Sequence, residues 1–242
     1  MKITTLLLRR LHKWIGLLIG LQLVLWTLSG AVMALLDHHD VQGGRAAPTA
    51  MVSVPSSSAW AAVSASGASE PVTALTARPL LDRYVYEIAT ARGVRLADAT
   101  TGAALVIDQF LARRIAAAAH PTGAPIRSVA QLSVLELAVR EHELPIWRVD
   151  FADKSGSSYY VSGTTGKLLE RRNDTWRWFD FVWMLQNMDY VNRTSFNHPY
   201  IVVAAICAFW LALSGVLLLF RTAWRPDLRA FARVFRRPRR QH

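Results

Sequence analysis

The chain has a single cysteine, Cys207, among 242 residues, which excludes any disulfide within it. No C-x-x-C, H-x-x-x-H or G-x-G-x-x-G spacing occurs. A compact metal site and a Rossmann dinucleotide turn are therefore not expected, and no serine, histidine and aspartate combination marks a nucleophile. Charge is missing from two long stretches. Trp14 to Leu36 has no charged residue and one polar amide, Gln22; Pro199 to Phe220 is also uncharged. Each is long enough to cross a hydrocarbon layer about 30 Å thick, and soluble helices are seldom apolar on every side for so long.

Negative charge is almost absent from the flanks of these runs. Lys2, Arg9, Arg10 and Lys13 precede the first, and eight arginines from Arg221 to Arg240 follow the second, against Asp227 alone. The flanks thus carry the whole formal net charge of +11, and the region between the runs is neutral. Basic flanks stay cytoplasmic, which places both ends inside and residues from about 37 to 198 outside. The basic pI of about 10.6 is then a membrane signature. It points to anionic lipid head groups and not to nucleic acid. The rival for the first run is a signal peptide, with Ala31-Val32-Met33-Ala34 as a cleavage site; the run is longer than a usual h-region, so a retained span is expected. N-x-S/T sequons occur at Asn173 and Asn192; if the source is bacterial they carry no meaning.

The expected organisation is a basic N-terminus (1–13), a transmembrane helix (14–36), a linker (37–79), a domain (80–173), an aromatic interfacial helix (174–198), a second transmembrane helix (199–220) and a basic tail (221–242). Gly43 to Ser58 reads as linker, with a short helix over Ala59 to Ala65. Tyr84, Tyr86 and Ile88 alternate as a strand, turns at Arg92-Gly93 and Thr100-Thr101-Gly102 bracket a second, and Leu105 to Ile107 forms a third. Helices are expected over Phe110 to Ala119 and Val129 to Glu141. Trp147, Val149 and Phe151 open a meander with one buried face, which turns at Lys154-Ser155-Gly156, returns through Tyr159 and Val161, and turns again at Thr164-Thr165-Gly166 before Leu168. The two T-T-G turns lie 64 residues apart, which reads as a duplicated helix-plus-meander unit. Trp176, Trp178, Phe179, Phe181 and Trp183 crowd the stretch before the second span, with some rings expected in the interface and some beneath the domain.

Three stretches carry a family resemblance. Arg10-Leu11-His12-Lys13-Trp14-Ile15-Gly16-Leu17 with Leu23 to Gly30 resembles the first helix of PepSY-associated transmembrane proteins. Pro145-Ile146-Trp147-Arg148-Val149 through Tyr159 to Gly166 and Leu168 resembles a PepSY domain. Trp176 through Trp183-Met184-Leu185-Gln186-Asn187-Met188-Asp189-Tyr190 to Phe196-Asn197-His198-Pro199 resembles the segment before the next helix. Nearly the whole chain except residues 41–80 is covered. The resemblance implies an α+β protein of the bacterial inner membrane: two transmembrane helices flanking a periplasmic PepSY-like domain. Some larger relatives, with four spans, are haem-binding reductases that release iron from siderophores. The chain departs from its relatives twice, with Gln186 where a W-x-L-H histidine is often found and Gln42 in place of the V-H-G histidine.

A membrane b-type haem needs two axial imidazoles at one depth on neighbouring helices. His38 follows Thr27, Ala31 and Ala34 on one helix face, and His198 shares a face with Ala205, Ala212 and Gly215; small residues mark close approach. His38 and His198 are thus one expected ligand pair. The alternative is plain packing, with Asn197 or His198 capping a helix that opens at Pro199. His12 lies at the other membrane surface, where it meets lipid phosphates or, in a homodimer, holds a second haem. Two functions follow. One is a haem b electron-transfer subunit, fed by a quinol or a redox partner and linked to ferric-siderophore reduction or iron uptake. The other is a non-enzymatic, membrane-anchored PepSY binding or regulatory module, dimerising through Gly16 and Gly20.

Overall fold

The computed structural model describes residues 5–43, 71–191, 193 and 198–222. It divides into a helical unit, Met1–Leu35 with Asp180–His242, and a sheet unit, Leu36–Phe179. The expected helix at Ala59 to Ala65, most of the linker and the basic tail lie outside the described residues.

In the helical unit, α1 runs Thr5–Leu35 and the last helix, α5, runs Pro199–Thr222. Both are long and apolar enough to cross a membrane. Helix α1 begins before the apolar run because Arg9, Arg10 and Lys13 are good helix formers that extend it into the polar layer. Pro199 takes the first helical position of α5, and the His198 carbonyl accepts from Ile201 and Val202, so His198 is the cap. The two helices pack antiparallel. A Cβ on Gly16 would lie 3.3 Å from Leu211 Cδ1, and one on Gly215 would lie 3.3 Å from His12 Cε1.

The contact face is not the small-residue stripe expected from the sequence. Thr27, Ala31, Ala34, Ala205 and Ala212 are exposed. Leu8, Ile19, Ser29, Ala204 and Ser214 are buried instead. A polar pair in hydrocarbon gains more from facing its partner than an alanine does. His12 and Ser214 therefore set the rotation, and only Gly16 and Gly215 serve as close-approach positions.

The sheet unit contains two four-stranded antiparallel meanders. The first is β1 (Val72–Leu80), β2 (Arg83–Thr90), β3 (Gly93–Asp98) and β4 (Ala104–Leu105). The second is β5 (Ile126–Gln131), β6 (Ile146–Phe151), β7 (Ser158–Ser162) and β8 (Leu168–Arg172). A short α2 (His38–Val41) precedes the first meander, α3 (Gln109–Ala119) separates the two, and α4 (Asp174–Asn187) follows the second.

The duplication is visible in the hydrogen bonds. Asp98 Oδ1 accepts from the Thr100 and Thr101 amides, and Ser162 Oγ accepts from those of Thr164 and Thr165. Gly102 and Gly166 each return an N–H to the carbonyl of Asp98 or Ser162 at 2.8 Å, at φ 73° and 68°. Only glycine holds that left-handed conformation at low cost. Helix α3 stands directly before the second meander; the segment directly before β1 lies outside the described residues.

Three expectations are corrected. Val129 to Glu141 is not a helix: Val129, Ala130 and Gln131 pair with Val149, Arg148 and Trp147, and only Leu137–Val139 winds, as a 3₁₀ turn. The apolar residues there step by two, and the edge of β6 offers them a partner. Strand β1 falls in the expected linker; its Thr- and Ala-rich sequence is largely exposed, so no alternation betrays it. The second meander has both faces covered, not one, and every residue of β7 is buried.

One core joins α3 to both sheets. Ala112, Ile115 and Ala116 pack with Val85 and Leu96 from the first and with Val149, Phe151, Tyr159 and Val161 from the second. Asp108 caps α3 by accepting from the Leu111 amide at 2.8 Å. On the far face of the second sheet Ile146 and Tyr160 pack against Ala138, Val139 and Trp176. Trp176 therefore belongs beneath the sheet, whereas Trp178 and Phe181 are exposed. Phe151, 1% exposed, is the largest fully buried side chain. Phe151→Ala should cost about 3–5 kcal/mol and lower the unfolding midpoint followed by fluorescence in detergent.

Candidate functional site

The three histidines singled out from the sequence sit in different settings. His12 and His198 belong to the helical unit, and His38 to the sheet unit. His12 Nδ1 lies 2.7 Å from Ser214 Oγ. The Ser214 hydroxyl also lies 3.0 Å from the Leu211 carbonyl; with its one proton given there, it accepts from His12, which then carries its proton on Nδ1. His12 Nε2 is left with a free lone pair. His198 Nδ1 is buried without a hydrogen-bond partner, and its ring centroid lies 4.9 Å from that of Tyr200. His198 is sixteen residues from Ser214 along α5, roughly 24 Å at helical rise. His12 and His198 of one chain therefore cannot ligate one iron. His38 is exposed at the start of α2 and accepts from Gln42 Nε2 at 2.8 Å.

Gln186 and Gln42, where the resemblance implies histidine, are also engaged. Ser29 Oγ donates to Gln186 Oε1 at 2.6 Å, which ties α1 to the end of α4. Gln42 is the partner of His38. Gly43, next in the chain, has φ 84°, and a Cβ there would meet the Arg171 carbonyl oxygen at 2.4 Å. With Asn173 Nδ2 donating to Asp40 O at 2.8 Å, it fastens the α2 segment to β8. His120 and His142 have structural partners. His120 lies against Phe151 at 4.3 Å and 3.5 Å from Asp153, and His142 Nε2 lies 3.0 Å from Glu170.

The sheet unit has a groove of about 860 Å³, lined in part by Arg92, Val94, Arg95, Glu141, Glu143 and Thr165. It runs along an unfinished sheet edge. Thr90 and Gly93 close the β2–β3 hairpin, so the backbone groups of Val94, Leu96 and Asp98 point away from β2. Leu96 pairs with Leu105, and the Asp98 amide reaches Ala103 O at 2.8 Å. Val94 has no strand opposite it among the described residues, because β4 has only two residues. Sequence reading located the β3 turn but missed the groove. The brevity of the segment between Thr101-Gly102 and the Asp108 cap was the available signal.

A second cleft, of about 400 Å³, lies beside Arg148, Asp150, Ser158 and Arg177. Arg148 bridges Glu136 at 3.0 Å and Asp150 at 2.9 Å, and Tyr160 donates to Glu136 at 2.9 Å. Burial pushes the Asp150 carboxyl up, but bonds from Ser158, Arg148 and Ser128 outweigh it and hold the group below its usual range. Burial and the neighbouring Glu136 push the Tyr160 phenol up. These charges look solvent-facing in the sequence because they alternate with core residues; the packed second face leaves them partly buried.

Comparison with known proteins decides the family. The model of the PepSY-associated TM region matches residues 9–242. The chain belongs to that family. No curated protein and no solved structure matches this PepSY protein. The match covers both apolar helices and the two meanders between them.

Asp153 provides a pH test of the sheet unit's fold. Burial pushes its carboxyl up, but the Ser157 hydroxyl and amide, the Ser155 hydroxyl and His120 together draw it down to about 2. Its stabilisation is complete above about pH 4, where both folded and unfolded chains are ionised. Between pH 4 and 2 the unfolded chain protonates first, and the stabilisation, about 2 kcal/mol, is lost. Urea titrations should show wild type more stable than Asp153→Asn at pH 6, with the gap closing towards pH 2.

Proposed function

We propose that the protein is a non-enzymatic, membrane-anchored PepSY binding module of the bacterial inner membrane. Both termini lie in the cytoplasm and the sheet unit lies in the periplasm, as the +11 net charge gathered on the two flanks favours. The observation that carries the reading is the groove beside β3, with charged rims and with no strand opposite Val94 among the described residues. A groove with an open strand edge suits an extended partner segment, whose main chain adds to the sheet while side chains settle in the groove. The role of the spans is to anchor the chain in the membrane.

A second reading rests on His12. Its Nδ1–H is given to Ser214, the arrangement that presents Nε2 as a metal ligand. A haem b would then be held between two copies of the chain, one His12 from each, and would supply one-electron chemistry. The carboxamides of Gln186 and Gln42, already bonded to Ser29 and His38, weigh against a haem at those positions.

Photo-crosslinking in cells separates the two. A photoreactive residue at Arg95 or Glu143 should give discrete adducts, and one at exposed Val106, outside the groove lining, should not. Adducts at position 95 should fall several-fold in an Arg92→Glu background. Absence of adducts at both groove positions would overturn the binding reading. The purified protein should show no Soret band after haem supplementation; a band that His12→Ala removes would establish the haem reading instead. Alkaline phosphatase fused after Gly123 should be active and fused after His242 inactive if the orientation holds.

A further inference from the structure

The helical unit holds polar groups that neither reading uses. Gln22, Trp26 and Ser29 are spaced four and three residues apart and so share one face of α1. Gln22 Nε2 and Trp26 Nε1 are buried and have no hydrogen-bond partner. Ser29 holds Gln186, at the end of α4, against this face. The next residue, Asn187, is 0% exposed, and both its Nδ2 and its Oδ1 lack a partner. Trp26 lies nine residues before the end of α1, about 14 Å along the helix, at hydrocarbon depth.

A buried donor left unmet costs about 1–3 kcal/mol, and hydrocarbon offers no water to meet it. Three orphan donors and one orphan acceptor within one small unit are a large uncompensated cost, and leucine would serve packing better at each position. There is also room. Gly30, one turn beyond Trp26, has no atom within 4 Å of where its Cβ would stand. The open groups are mostly donors, so the complementary ligand is an acceptor. The indole adds a flat apolar wall next to its N–H.

We propose that the Gln22–Trp26 face of α1, with Asn187, is a membrane-depth binding site for the carbonyl oxygens of a lipophilic molecule. Two sources share this chemistry: a quinone head group and the acyl esters of a phospholipid. Both reach the site from the bilayer, and both accept from Gln22 Nε2, Trp26 Nε1 and Asn187 Nδ2. Intramembrane polar side chains that face the protein interior mark such sites.

The test uses the full-length protein in quinone-free phospholipid nanodiscs. Decylubiquinone is titrated while tryptophan fluorescence is followed, and bound phospholipid is counted by native mass spectrometry after delipidation. For a quinone, saturable quenching is expected in wild type, with affinity lowered at least tenfold by Gln22→Leu and by Trp26→Phe. For a lipid ester, quenching stays unsaturable, and a phospholipid retained by wild type is lost from the same variants. Gly30→Leu, which fills the open space and leaves every polar group in place, should abolish whichever binding is seen. It serves even if a polar variant fails to fold. Equal quinone and phospholipid binding in wild type, Gln22→Leu and Gly30→Leu would overturn the proposal and leave water as the occupant.

Discussion

Helix α3 packs where the two meanders meet, and the sheet unit depends on that contact. Ile115, Ala112 and Ala116 share one buried cluster with core residues of both sheets, so neither meander closes its apolar face alone. A charged clasp reinforces the join. Glu87 on β2 accepts from Arg78 at 2.8 Å and from Lys167 at 2.8 Å, and Arg78 also donates to the Thr165 carbonyl. Burial alone would raise the Glu87 carboxyl, but the two cations hold it below its usual range. Thr165 belongs both to this clasp and to the lining of the groove, so the contact that joins the sheets also sets one wall of the groove.

The helical unit follows a different economy. Its helices have no water to satisfy polar side chains, so each such group must find a protein partner or a ligand. His12 finds Ser214 and Ser29 finds Gln186. These two pairs fix the rotation of α1 in preference to its alanines. The groups left over, at Gln22, Trp26 and Asn187, follow from the same rule.

The sheet unit repeats one design with two outcomes. The Asp98 and Ser162 turns share their hydrogen bonds, but the strands that follow differ. After the first turn β4 stops at Leu105, and Val94 has no strand opposite it among the described residues. After the second, β8 runs to Arg172 and pairs along β7, which becomes buried on both faces. The incomplete copy therefore carries the groove and the complete copy carries the core.

Length, charge and periodicity in the sequence determined the two apolar helices, the gathering of positive charge on their flanks, the T-T-G turns, α3, and the strands around Tyr86, Val149 and Tyr159. These depend on local spacing and on chain chemistry alone. The sequence also carried the family, because its motifs are contiguous. Only the tertiary structure decided that Val129 pairs as a strand, that β1 exists at all, that Arg148 and Asp150 are partly buried, and which face of α1 meets α5. Each of those outcomes depends on a partner distant in the chain. An edge strand gains its hydrogen bonds from its neighbour, an alternating charge is buried only if something covers it, and a helix face is chosen by the best polar pair, His12 with Ser214, 202 residues away.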